Sequence, residues 1–296
     1  WADKFYEQFV ENVNKWELIP ENAHVIIYYS GGKDSNVLLD LFVRFREQER
    51  SNFTLEVITA AFPRMVYLSN DPKQQEAITK VISYWKNRGI EIEFCIPKDS
   101  YTDEKLEEGT FPPCYICEQY KTRILSDRYN DKGYNGAYIA VSHSTWDMMG
   151  YVDELVQMVG RNESWKDIPK ESVDNDRFIH IAKRCYPKLS LEKLTYIRPL
   201  INFASPDFKK YADAREIPLI PECCAEIAKG GWYVPYKKAI MEALKIREWV
   251  APRRDPVTEN VRFDLDYDQI MTFAKRNGAM PDPDDLRSIP LEKLGI

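Results

Sequence analysis

The stretch Val25-Ile26-Ile27-Tyr28-Tyr29-Ser30-Gly31-Gly32-Lys33-Asp34-Ser35 decides the fold. Its first five residues are apolar or aromatic and read as a strand. The residues that follow, Val37-Leu38-Leu39 and Leu41-Phe42-Val43, carry the apolar pattern of a helix. A strand, a tight glycine turn and a helix N-terminus, in that order, make an anion site. Gly31 and Gly32 let the backbone approach a ligand closely. The next N–H groups sit at the positive end of the helix dipole. Lys33 adds a charge, and Ser30 and Ser35 add hydroxyls. Phosphate is the natural occupant.

The spacing excludes the Walker A loop, which needs four residues between its first glycine and Gly-Lys-[Ser/Thr]. It also excludes Gly-x-Gly-x-x-Gly. The string Ser-Gly-Gly-x-Asp-Ser resembles the PP-loop of the ATP pyrophosphatase (adenine nucleotide α-hydrolase) superfamily. Members of that superfamily cleave ATP between the α and β phosphates and adenylate a substrate.

A chain of 296 residues suffices for one large α/β domain or two small ones. An apolar content of 44% and a charged content of 30% are those of a soluble globular protein. No apolar stretch approaches the roughly twenty residues that span a bilayer. No secretory signal is visible, and six cysteines without one argue against a disulfide framework. A reducing cytoplasm is the expected compartment. A net charge of -6 does not favour broad electrostatic capture of nucleic acid. Lys183-Arg184, Lys209-Lys210, Lys237-Lys238 and Arg253-Arg254 are either local basic patches or solvated helix faces.

Residues 1–20 read as an amphipathic helix ended by Pro20 (1–21 as a segment), and 24–29 as the first strand. A helix at 35–49 and strands at 55–60, 90–96 and 137–141 follow, with a helix at 72–88 closed by Gly89. Residues 115–129 also read as helical. Strands alternating with helices imply an α/β, doubly wound, mostly parallel, Rossmann-like sheet with helices on both faces. Ligands bind such sheets at the carboxyl ends of the strands. Residues 22–225 make this domain, with polar 161–183 as an insertion or flexible lid. Tyr196 to Leu200 reads as a short strand, 206–215 as a helix and Ile217 to Pro221 as a second extended segment. Residues 226–296 read as a helical or irregular C-terminal extension, with one helical stretch near 266–277.

Cys114-Tyr115-Ile116-Cys117 opens the 115–129 helix. Two thiolates so placed point the same way and have lowered pKa values. They suit a metal, an iron–sulfur cluster or a redox pair. Cys223 or Cys224 could supply a third ligand and leave one coordination position open. A structural zinc site or plain buried thiols are the alternatives. Cys95 and Cys185 read as packing residues.

Taken in order, these segments resemble the tRNA 2-thiocytidine synthetase (TtcA) and TtuA-like iron–sulfur thiolation enzymes. The resemblance rests on the PP-loop at Ser30 to Ser35 and Pro113-Cys114-Tyr115-Ile116-Cys117 before Lys121. It continues through Ala140 to Asp147, Ile197-Arg198-Pro199-Leu200, Ala212-Asp213-Ala214 and Pro218-Leu219-Ile220-Pro221. It implies ATP and a [4Fe–4S] cluster held by Cys114, Cys117 and Cys223 or Cys224. It also implies tRNA, or another carbonyl-bearing acceptor, as substrate. Sulfide, a cysteine desulfurase or a carrier protein would donate sulfur, no membrane would be involved, and a homodimer is allowed. The sequence departs from the family where Glu222-Cys223-Cys224-Ala225 replaces Cys-x-x-Cys and where Ser144 and Trp146 replace a histidine and an aspartate. Those departures keep open a small metabolite or a carrier-bound amide as acceptor, a phosphorothioation or sulfonucleotide-reductase-like reaction, and a non-catalytic nucleotide-binding zinc protein.

The roles follow from chemistry. Oxygen leaves an amide-like carbonyl only once adenylated, so the loop and Mg²⁺ would neutralise the phosphates. Lys33 would hold a β or γ oxygen, and Asp34 would orient the loop or the metal. Asp147 is a candidate general base or metal ligand, or else a helix cap. Lys121, one helical turn after Cys117, would stabilise the adenylate, or else be an exposed lysine. Cys224 is a catalytic candidate as well as a ligand. His143 would shape the nucleotide pocket, and Phe62 and Arg64 would lie near the adenine.

Overall fold

The computed structural model describes residues 1–49, 52–61, 71–95, 121, 123–124, 127–128, 130–160, 164–221, 249–255 and 258–287. The chain begins with helix α1 (Ala2–Lys15), strand β1 (His24–Tyr28), α2 (Lys33–Gln48), β2 (Thr54–Ala60), α3 (Pro72–Lys86) and β3 (Ile92–Cys95). It continues through β4 (Ala137–Ala140), α4 (Thr145–Val159), α5 (Val173–Ala182), β5 (Lys188–Ser190), β6 (Leu194–Ile197) and α6 (Ser205–Ala214). A hairpin of β7 (Val250–Arg254) and β8 (Val261–Leu265), then α7 (Tyr267–Arg276) and α8 (Pro283–Arg287), complete the described chain.

The main sheet has the order β3-β2-β1-β4-β6-β5. All its pairings are parallel except β5 with β6. β1 is central because it is apolar on both faces. Val25 and Ile27 join one cluster, with Phe9, Leu38, Phe42, Trp85 and Phe208. Ile26 joins the other, with Ile58, Ile139 and Tyr196. Chain order runs outward from β1 in both directions, to β2 on one side and to β4 on the other. The gap between the carboxyl ends of β1 and β4 is therefore the switch point where doubly wound sheets bind ligands.

Two expectations are revised. Helix α1 stops at Lys15, well before Pro20, because Glu17 turns left-handed at φ 47°. Glu17 and Leu18 N–H then bond the Asn14 and Val13 carbonyls at 3.2 and 2.9 Å, a glycine-type helix stop built on glutamate. Residues 161–183, read as an insertion or flexible lid, include α5. Phe178 and Ile181 of α5 are buried, and Trp165 stacks on Phe178 with centroids 5.9 Å apart. The apolar residues of α5 crowd into its last turns, so the periodicity is hard to see. The segment 217–221 is extended as expected, outside the described strands, and its Ile220 N–H bonds the Gly31 carbonyl at 3.1 Å.

The described part of the C-terminal extension packs on α4. Ile270, Met271 and Ala274 share a cluster with Met148, Met149, Val152 and Leu155. The β7–β8 hairpin, which the sequence reading missed, is tied to α6 by Arg262 to Asp207 at 3.2 Å. No helix among the described residues is long and apolar enough to cross a membrane.

Candidate functional site

The chain leaves β1 at its carboxyl end and turns into α2 through two glycines of different kinds. Gly31 has φ 73°, a conformation that a side chain would strain. Gly32 is the N-cap residue of α2, and no side chain caps this helix. The first turn of α2 is thus the place for an anion. Ser30 and Ser35 close the loop, with their hydroxyl oxygens 3.0 Å apart. Ser35 Oγ also accepts from the Ser30 N–H at 3.2 Å.

Behind the loop lies a residue that the sequence reading did not single out. Asn36 is fully buried. Its Nδ2 donates to the Gly31 and Gly32 carbonyls at 2.7 and 3.0 Å. Its Oδ1 accepts from the Tyr29 hydroxyl at 2.7 Å and from Trp85 Nε1 at 2.8 Å. In front of the loop, the Lys33 ammonium bonds Asp34 and donates to Ser205 Oγ at 3.1 Å. It also lies 5.6 Å from the centre of the Phe208 ring. Ser205 opens α6, so a second helix N-terminus faces Lys33.

Across the switch point, His143 follows β4, and its Nε2 is 3.4 Å from the Tyr151 hydroxyl. Asp147 Oδ2 accepts from the Ser144 N–H and from Ser144 Oγ, both at 2.9 Å, within a capping box at the start of α4. Of the roles weighed for Asp147, these are the contacts of a cap. Thr145 fixes α4 to the strand-to-α6 connection through the Phe203 carbonyl at 3.0 Å.

No family model matches the chain. A tRNA-cytidine(32) 2-sulfurtransferase of Bdellovibrio bacteriovorus is 27% identical over 188 residues, covering 62% of this chain and 66% of that protein. The protein of the same name from Burkholderia cenocepacia is 28% identical over 260 residues, covering 83% of this chain and 65% of its own length. The chain thus spans slightly under two thirds of these curated relatives. Among solved structures, the U34-tRNA thiolase NcsA from Methanococcus maripaludis with its [4Fe-4S] cluster superposes with a TM-score of 0.59. That match covers 98% of this chain and 81% of NcsA at 17% identity, which bears on the fold alone. The chain is thus similar, at 27–28% identity, to tRNA-cytidine(32) 2-sulfurtransferases, and it shares the fold of NcsA.

The described site residues meet in two groups. Ser30, Gly31, Gly32, Lys33, Asp34 and Ser35 form the loop, and His143 and Asp147 flank the neighbouring strand. Lys121 is half-buried and helical, and its carbonyl accepts from the Tyr28 hydroxyl at 3.2 Å. That bond ties the helix to β1. Phe62, Arg64, Cys114, Cys117, Cys223 and Cys224 lie outside the described residues. Cys95 is half-buried, and Cys185 is buried with its thiol pushed up to about 12 by burial. A thiol held protonated in this way fits packing. Among the described residues no group of three or more side chains could hold a metal ion.

Proposed function

We propose that the chain is an ATP-dependent sulfur transferase that adenylates a carbonyl oxygen of a tRNA base, releases pyrophosphate and exchanges that oxygen for sulfur. The observation that carries this reading is the uncapped α2 N-terminus behind the Gly31–Gly32 turn, at the β1–β4 switch point, in a chain whose relatives are named tRNA sulfurtransferases. An unsubstituted carbonyl oxygen is a poor leaving group. Transfer of AMP onto it makes the leaving group AMP.

The chain's own residues divide this work. The Gly31–Gly32 turn and the first turn of α2 receive phosphate oxygens. Lys33 leaves Ser205 for a β or γ oxygen and neutralises charge as pyrophosphate departs. Asp34 orients Mg²⁺ or the loop. His143 and Tyr151 form a wall of the nucleotide pocket. Asp147 holds the start of α4 by its cap, and Lys121 stabilises the adenylate.

Cys114, Cys117 and Cys223 or Cys224 would hold a [4Fe–4S] cluster. A thiolate donor set suits iron–sulfur ligation. The described flanks support a convergence of these cysteines, since Lys121 is bonded to Tyr28 and Ile220 to Gly31, both at the carboxyl end of β1. When bound, the cluster supplies the sulfur that displaces AMP. Sulfide, a desulfurase or a carrier protein would replenish it.

A second acceptor class, a small metabolite or carrier-bound amide, is favoured by the net charge of -6. The test is to incubate the iron-reconstituted chain anaerobically with Mg-ATP, sulfide and tRNA. AMP and a thiolated nucleoside should form in equal amounts, and both should be lost in Cys114→Ala. AMP formed with no thiolated nucleoside moves the acceptor to the second class. No AMP, with stoichiometric zinc in place of iron, overturns the reading.

A further inference from the structure

We infer that Asn36 is a positioning residue for the nucleotide, and that Tyr29 and Trp85 set its orientation. This inference rests on the reading of the loop as the ATP phosphate site.

A loop that binds an anion must turn its N–H groups toward the ligand and its carbonyl groups away. Carbonyl oxygens facing a polyphosphate would repel it. Gly31 and Gly32 are free to rotate, so something else must fix which way their peptides face. Asn36 does so, with Nδ2 bonded to both glycine carbonyls at 2.7 and 3.0 Å from inside the core. Ile220 N–H adds a second donor to the Gly31 carbonyl at 3.1 Å.

The asparagine could do the opposite if its amide were turned over. Oδ1 would then face two carbonyl oxygens. The Tyr29 hydroxyl and Trp85 Nε1 prevent this, because both donate to Oδ1. Trp85 carries only a donor, so an overturned amide would set N–H against N–H. All four bonds of the Asn36 amide are thereby satisfied in a fully buried site, where a missing partner is costly. Trp85 lies on α3 and Tyr29 just past β1, so the clamp reads the docking of α3 and passes it to the loop.

Asp at position 36 separates this role from simple core packing. Asn36→Asp keeps the size and the two acceptor contacts to Tyr29 and Trp85 but loses both donors to the loop. The experiment measures Mg-ATP binding by calorimetry, together with kcat and KM for AMP formation, in the full chain. Asn36→Asp and Asn36→Ala should each weaken ATP binding about 10- to 100-fold, the scale of a misplaced binding group. KM should rise by the same factor, with kcat changing less. Trp85→Phe removes only the Nε1 donor and should weaken binding about 3- to 10-fold, as for one hydrogen bond. Adding it to Asn36→Ala should cost nothing more. Should the position 36 variants fail to fold, Trp85→Phe and Tyr29→Phe carry the test. ATP binding within about twofold of wild type in the folded variants overturns the clamp alone. A wild-type chain that binds no ATP overturns the functional reading and this role with it.

Discussion

Lys33 stands between two helix N-termini, and its contacts say what its loss should do. Its ammonium is half-exposed at 37% and held by Asp34 and Ser205. Exposed pairs of this kind contribute little to stability, within about 0.5 kcal/mol. Lys33→Ala should therefore leave the melting temperature nearly unchanged while AMP release falls about 100- to 1000-fold. Undiminished AMP release would remove the lysine from the reaction. Lys183 is the opposite case. It is buried at 4% exposure, with Tyr196 6.0 Å from its ammonium, and its pKa is lowered to about 7 by burial and by Arg198. The unfolded chain holds this proton up to the ordinary lysine range, near 10.4. Between about 7 and that range the unfolded state binds more protons than the folded state, so stability rises with pH. Lys183→Met should raise the melting temperature most at pH 6 and flatten the rise between pH 7 and 10. Equal pH profiles for the two proteins would contradict the lowered pKa. The sequence offered Lys183-Arg184 as a surface patch or a solvated face, and burial of the first residue shows why charge pairs alone do not reveal an interface. Arg253, likewise, donates to the Asn202 carbonyl, and Lys210 reaches Asp255 at 3.5 Å.

Elements were legible where burial is two-sided. β1, β2 and β4 are short apolar runs with partners on both edges, and their sequence shows it, whereas β6 runs over Leu194–Ile197, two residues ahead of the expected start at Tyr196, and ends before Pro199. The β7–β8 hairpin is not of this kind. Its strands are rich in charge, with Arg253 opposite Arg262, and it forms because Asp207 and the Asn202 carbonyl accept its arginines. Such a hairpin depends on contacts far along the chain, which no local pattern contains. The glycine loop was legible because its glycines and hydroxyls are adjacent in sequence. Its clamp was not, because Trp85 lies 49 residues from Asn36. Helix ends tell the same story. Gly89, at φ 72°, marks its stop openly, whereas α6 ends on Glu216 at φ 53°. There Glu216 and Ile217 N–H bond the Asp213 and Ala212 carbonyls at 3.1 and 2.9 Å. A left-handed residue with a side chain costs about 1 kcal/mol relative to glycine. Glu216 is exposed, so Glu216→Gly should raise stability by about 0.5–1 kcal/mol in urea titration. A loss of stability would mean that the glutamate side chain has a contact worth more than the strain.

At the scale of the whole molecule, the question is whether the segment after residue 248 is an appendage or part of the fold. An appendage would unfold without disturbing the sheet. The described part of this segment instead shares its apolar face with α4, the helix that starts at Thr145 just after His143, beside the proposed nucleotide site. Ile270 is fully buried among Met148, Met149 and Val152. Tyr267 donates to the Cys185 carbonyl at 3.0 Å, which carries the packing to the turn after α5. Removing a buried isoleucine down to alanine costs about 2–4 kcal/mol in a core that cannot collapse onto the gap. Ile270→Ala should therefore lower the melting temperature of a single transition seen alike by tryptophan fluorescence and by far-ultraviolet dichroism. It should also weaken ATP binding modestly, since α4, which begins just after His143, loses a packing partner. Two separated transitions, with the larger one unmoved and ATP binding intact, would make the segment an appendage. The position of His143 and Asp147 would then owe nothing to it.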